Sequence, residues 1–162
     1  MALSIVALYL VGDYMVDLDY YDSWYQSAPF WHKSVGLTLF ALIFVRVLMR
    51  FCIKRPPRIA NNRFEELSSR AAHVFLYVSM LAVCVSGYLI STADGRPISV
   101  FGLFDVPATV SSFENQEDVA GLWHEWAALA LVSVALLHAL AALKHHFWDR
   151  DVTLLRMMGS KR

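Results

Sequence analysis

Three long apolar stretches, broken by few polar side chains, organise this chain. Phe30–Ile53 is interrupted by His32, Lys33, Ser34, Thr38, Arg46 and Arg50; Ala71–Ile90 by His73, Ser79 and Ser86; Val119–Leu143 by His124, Glu125, Ser133 and His138. At 1.5 Å of rise per residue, about 20 helical residues cross the roughly 30 Å hydrocarbon layer of a bilayer. A soluble protein can bury one such helix, but three in 162 residues predict a membrane protein. A fourth apolar run, Met1–Gly12, continues past Asp13 to Val16. As a helix it reaches only about 24 Å. It has no positive n-region and no clear small-x-small cleavage site, so it does not read as a signal peptide. The expectation is the outer two-thirds of a helix whose inner end is missing, in a chain clipped at its N-terminus. The pattern predicts an all-α, integral membrane four-helix bundle. It forms a single membrane domain over residues 1–162, with spans near 1–16 (truncated), 30–53, 68–92 and 119–144.

Composition agrees: 57% of residues are hydrophobic and 17% charged. The net charge is zero, but the charges are segregated. The Asp17–Pro29 connection holds Asp17, Asp19 and Asp22 and no base, and Ala93–Asp118 sets Arg96 alone against Asp94, Asp105, Glu114, Glu117 and Asp118. Arg50–Arg70 contains Arg50, Lys54, Arg55, Arg58, Arg63 and Arg70, and the tail adds Lys144, Arg150, Arg156, Lys161 and Arg162. Bases in alternate connections are what the positive-inside rule gives for four spans with both termini cytoplasmic. Topology explains these stretches better than nucleic acid does. Cys52 and Cys84 form no CxxC and sit in apolar runs, so they read as small buried hydrophobes.

The histidines carry the chemistry. His124 and His138 lie fourteen residues apart on one apolar stretch. That interval returns almost to the same helix face, about 21 Å further along the axis. One imidazole is thereby aimed at the bundle interior near each membrane face, as axial ligation of two stacked haems would ask. His32 opens the second long stretch as His124 opens the last, and both stretches run in the same direction, so the two share a depth. Ionisable groups inside a membrane are costly and mark function or a buried partner. Two neutral imidazoles at one depth can supply both axial bonds to a b-type haem iron, and Gly36, one turn beyond His32, leaves room for a flat macrocycle. The plainer alternative for either histidine alone is an interfacial ring bonded to water or headgroups.

Arg46 lies fourteen residues after His32 and shares the depth of His138. It could pair with the propionates of an inner haem or snorkel to headgroups with Arg50. His138 needs a partner, and His73 or a residue on the missing start of the first helix are the candidates. His145 and His146, beside Phe147 and Trp148, read as interfacial. The long Ala93–Asp118 connection could fold back as a lid through Pro97, Ile98, Phe101, Phe104 and Phe113, or simply pack on headgroups.

Several stretches resemble the bacterial cytochrome b561 family of small four-helix, di-haem inner-membrane proteins: Tyr20–Asp22, Trp31–Gly36, Ser86–Gly95, Phe101–Ala108, Lys144–Phe147 and Asp151–Met158. The resemblance spans essentially the whole chain. It implies haem b, held on the outer side by His32 and His124 as axial iron ligands. On the inner side it implies His138 together with a histidine near the start of the first helix. This chain has no histidine before His32, so that fourth ligand is missing. The resemblance further implies electron transfer between a periplasmic-side donor and ubiquinone or another membrane quinone, in some relatives as superoxide oxidases. An alternative family role is the haem-bearing anchor of a larger periplasmic oxidoreductase. A non-redox membrane scaffold or metal carrier is the reading from a different class.

Overall fold

The computed structural model describes residues 1–52, 63–110 and 114–148. Four helices dominate: α1 Ala2–Val16, α2 Ser27–Cys52, α3 Arg63–Thr92 and α4 Gln116–Phe147, with strands β1 Ile98–Val100 and β2 Phe104–Val106 between α3 and α4. Helices α2, α3 and α4 are each long and apolar enough to cross a membrane, whereas α1 is a shorter apolar helix of 15 residues. Three helices begin earlier than the apolar pattern alone indicates. In α2, Pro29 falls in the first turn, where a missing N–H costs nothing. In α3 and α4, Glu65, Glu66, Glu117 and Asp118 sit in first turns, where carboxylates complement the helix dipole. The expected second-span end at Ile53, the bases Lys54, Arg55 and Arg58, Phe113 and the tail from Asp149 lie outside the described residues.

The helices pack as a ring: α1 on α2, α2 on α3, α3 most extensively on α4, and α4 back on α1. The dry core is small, with Leu39, Ile43, Met80 and Leu131 at its centre and Ile5, Leu8, Phe40 and Tyr77 packed around them. Most large apolar side chains point outward instead, among them Leu3, Phe44, Phe51, Val74, Leu137 and Leu140. That exposure would be ruinous in water and is ordinary where lipid is the solvent. Small hydroxyls fill the helix contacts. Ser86 and Thr92 donate to the carbonyls of Ala82 and Tyr88 one turn back, so neither leaves a donor unmet in the apolar layer.

The connection after α3 turns at Asp94, whose carboxylate accepts from the Arg96 amide (3.0 Å) and guanidinium (2.6 Å). Those hydrogen bonds hold the Asp94 carboxyl below its usual pKa. The antiparallel hairpin pairs Ile98 with Val106 and Val100 with Phe104. Its turn places Phe101 at φ 52° and Gly102 at φ 69°, as a type I′ turn requires. A non-glycine residue is strained there. Phe101 is held by tertiary contacts: its N–H donates to Ser34 Oγ at 3.0 Å, and its ring lies 5.9 Å from that of Trp31. The hairpin is thus clamped onto the start of α2.

Candidate functional site

A cavity of about 630 Å³ lies inside the helix ring at the hairpin end. This is within the size range of small-molecule and cofactor sites. All four helices line it: Leu8 and Gly12 from α1, His32, Lys33 and Gly36 from α2, Val83 and Gly87 from α3, His124 and Glu125 from α4, with Ile98 of the hairpin at its edge. Asp13 and Asp17 also border it, and Lys33 is the one base among the lining residues.

The imidazoles of His32 and His124 meet across this space, with ring centroids 6.2 Å apart and planes inclined at 67°. Metal–imidazole bonds run about 2 Å, so two such bonds and two half-rings laid end to end span about 6 Å. The separation therefore suits one metal atom between two rings. Each ring also keeps one nitrogen available. Nδ1 of His124 lies 2.9 Å from the Val83 carbonyl and 3.2 Å from Ser86 Oγ. A carbonyl only accepts, so Nδ1 carries the proton and Nε2 is bare. Nδ1 of His32 is buried with no close hydrogen-bond partner among the described residues, although the ring also interacts with the Leu8 backbone.

Glycines make room for both rings. A Cβ on Gly87 would fall 2.9 Å from His124 Cε1, and one on Gly12 would fall 3.2 Å from His32 Cε1. Gly36 faces open space, with nothing within 4 Å of a Cβ built on it. Bare imidazole nitrogens, an orphaned buried Nδ1 and a glycine-lined cavity fit a flat, metal-centred macrocycle. Sequence reasoning singled out His32, His124 and Gly36 but assigned no role to Gly12, Lys33, Ser86 or Gly87.

The remaining candidates gather at the opposite, arginine-rich end. His73 and His138 have ring centroids 5.0 Å apart at 66°. Arg46 Nε donates to the Tyr77 hydroxyl at 3.1 Å, the Arg50 guanidinium lies over the Tyr77 ring at 5.3 Å, and both charges act on His73. Arg46 and His138 are thus both neighbours of His73, and the Arg46 guanidinium is engaged with Tyr77. His146 packs edge-on against Phe147 at 4.9 Å. Among the described residues no group of three or more His, Cys, Asp or Glu forms a metal cluster, and Cys84 is half-buried while Cys52 is exposed.

An all-helical membrane bundle with paired histidines facing an internal cavity has the design of a membrane cytochrome. The chain belongs to the prokaryotic cytochrome b561 family, whose sequence profile matches residues 1–160. It is 46% identical to cytochrome b561 homolog 2 of Escherichia coli (strain K12) over 159 residues, covering 98% of this chain and 85% of that protein. It is 31% identical to the probable superoxide oxidase CybB of Yersinia pestis over 132 residues, covering 81% of this chain and 74% of that one. Cytochrome b561 homolog 1 of E. coli is 26% identical over the same length. The protein is accordingly a membrane cytochrome of a b-type haem family.

Proposed function

We propose that the chain passes electrons through haem b between a donor at the hairpin end and a membrane quinone. The observation that carries this reading is the His32–His124 pair, 6.2 Å apart across the cavity. When bound, haem supplies one-electron chemistry at a potential set by its axial ligands and surroundings. The chain's own residues would do the rest. His32 and His124 would hold the iron, Gly36 and Gly12 would leave room for the macrocycle, and Lys33 would offer a cation to a propionate. Apolar neighbours such as Leu8, Val83 and Leu129 keep water from the centre. At the arginine end, His138 and Arg46 are the residues proposed to serve the family's second haem.

The bundle sits in the bacterial inner membrane, with both termini and the base-rich Arg50–Arg70 connection cytoplasmic and the hairpin periplasmic; the distribution of bases supports this. Superoxide is the first donor to test, because a relative carries the name probable superoxide oxidase. The decisive experiment purifies the protein from haem-replete membranes and records its reduced-minus-oxidised spectrum, then adds superoxide and ubiquinone. Low-spin b-type absorbance and quinone reduction are expected, with the absorbance of the His32–His124 site lost in both His32→Ala and His124→Ala. Absence of haem absorbance would overturn the reading, and unchanged spectra in both variants would reject the pairing.

A further inference from the structure

Ser86 stood in the sequence only as a polar interruption of an apolar run with no role of its own, yet it is one of the few buried polar side chains among the described residues, 6% exposed. Its hydroxyl proton is committed: Oγ donates to the Ala82 carbonyl at 2.7 Å, with the Val83 carbonyl at 3.1 Å. Towards His124 Nδ1, 3.2 Å away, the same oxygen therefore offers only a lone pair. Val83 O, at 2.9 Å, offers another. Two acceptors on one ring nitrogen exclude the alternative tautomer, because an unprotonated Nδ1 would face two lone pairs. Directly beneath the ring, Gly87 supplies the space that any side chain would take, since a Cβ there would stand 2.9 Å from Cε1 and 3.2 Å from Nδ1. One turn of α3 thus sets both the orientation and the protonation of an imidazole on α4.

We propose that Ser86 and Gly87 form a socket on α3 that fixes the His124 ring with Nδ1 protonated and Nε2 bare, making Ser86 a positioning residue for the haem iron. The proposal rests on the haem reading above and assigns a role within it to residues that touch neither iron nor substrate. Around His32 the Leu8 backbone and Gly12 of α1 take the places of Val83 and Gly87, but among the described residues no hydroxyl hydrogen-bonds its Nδ1 as Ser86 does that of His124. What sets the His124 position apart is therefore the Ser86 hydroxyl. Acceptors on Nδ1–H make an imidazole a stronger donor to its metal, which favours the oxidised iron. Removing one should raise the midpoint potential and loosen the haem.

The test uses the haem-loaded protein in detergent or nanodiscs, comparing wild type with Ser86→Ala, Ser86→Thr and Gly87→Ala. Ser86→Ala removes an oxygen without filling space. It should keep the low-spin spectrum, shift one component of the potentiometric titration upward and speed haem loss to apomyoglobin about tenfold. Ser86→Thr, which restores the hydroxyl, should return both towards wild type. A residue of purely structural use would move neither the potential nor its rescue. Gly87→Ala should lose the low-spin absorbance of this site while far-UV circular dichroism stays helical. Unaltered potential and haem-loss rate in Ser86→Ala would overturn the proposal, and a wild-type spectrum in Gly87→Ala would overturn its steric half. A wild-type protein without low-spin absorbance would overturn the haem reading itself, which separates the two failures.

Discussion

Gly36 and Gly12 border one cavity but differ in what stands opposite them. A methyl group on Gly36 meets no protein atom within 4 Å, while on Gly12 it stands 3.2 Å from His32 Cε1. Gly36→Ala is therefore expected to leave helicity and assembly intact, with α2 gaining up to about 1 kcal/mol of intrinsic propensity, and yet to retain less haem, because the space it fills is the macrocycle's. Haem per polypeptide equal to wild type would remove Gly36 from the binding surface. Gly12→Ala should cost less low-spin absorbance than Gly87→Ala. A Cβ on Gly12 stands 3.2 Å from its histidine against 2.9 Å for Gly87, and no hydroxyl pins the His32 ring at Nδ1 as Ser86 pins that of His124. His32, His124 and Gly36 were legible in the sequence because an imidazole or a bare backbone stands out in an apolar run. Gly12, Ser86 and Gly87 were not. A small residue in a membrane helix reads as ordinary close packing, and the ring that makes Ser86 special is 38 positions away.

The connection between α3 and α4 shows what pattern reading does with a whole element. A fold-back through Pro97, Ile98, Phe101, Phe104 and Phe113 was one of two readings of its apolar residues, and the segment does fold back, through Ile98 and Phe101 but not through Pro97 or Phe104. Ile98 and Val100 are buried at 5% and 3%, while Phe104 is 59% exposed and Pro97 lies on the surface. The strands themselves were illegible, since three residues each are too few to show a period of two. Beyond the hairpin, Tyr88 ties the chain down. Its hydroxyl donates to the Pro107 carbonyl at 2.8 Å, accepts from the Thr109 amide at 2.8 Å and meets Thr109 Oγ1 at the same distance. Gln116 Nε2 adds bonds to the Leu89 and Val110 carbonyls. Tyr88→Phe should destabilise this anchoring by about 1–2 kcal/mol, given the modest net worth of each hydrogen bond. Hydrogen exchange at the Thr109 amide measures it directly, and unchanged protection would show that the loop holds without Tyr88.

At the scale of the molecule, the two ends of the ring differ in charge and in how their histidines are spaced. Acids crowd the connections at the hairpin end and bases those at the other, so reporter fusions after Arg58 and after Asp105 should report opposite sides of the membrane; agreement between them would break the four-span topology. The histidine pairs differ as sharply. His32 and His124 stand 6.2 Å apart with a 630 Å³ cavity between the helices that carry them. His73 and His138 stand at 5.0 Å, and neither lines that cavity. A metal held linearly between two imidazoles needs about 6 Å between ring centres, so the second pair would have to open before it could hold haem. The 162-residue chain is therefore expected to carry close to one low-spin haem per polypeptide, kept in His73→Ala and lost in His32→Ala. An N-terminal extension of α1 that places a histidine at the arginine end should raise the content to about two by giving His138 a partner at a workable distance. Pyridine-haemochrome content per polypeptide decides between the arrangements. Two haems in the 162-residue chain, one of them lost on His73→Ala, would mean that α3 and α4 separate to admit the macrocycle and that His73 is an axial ligand.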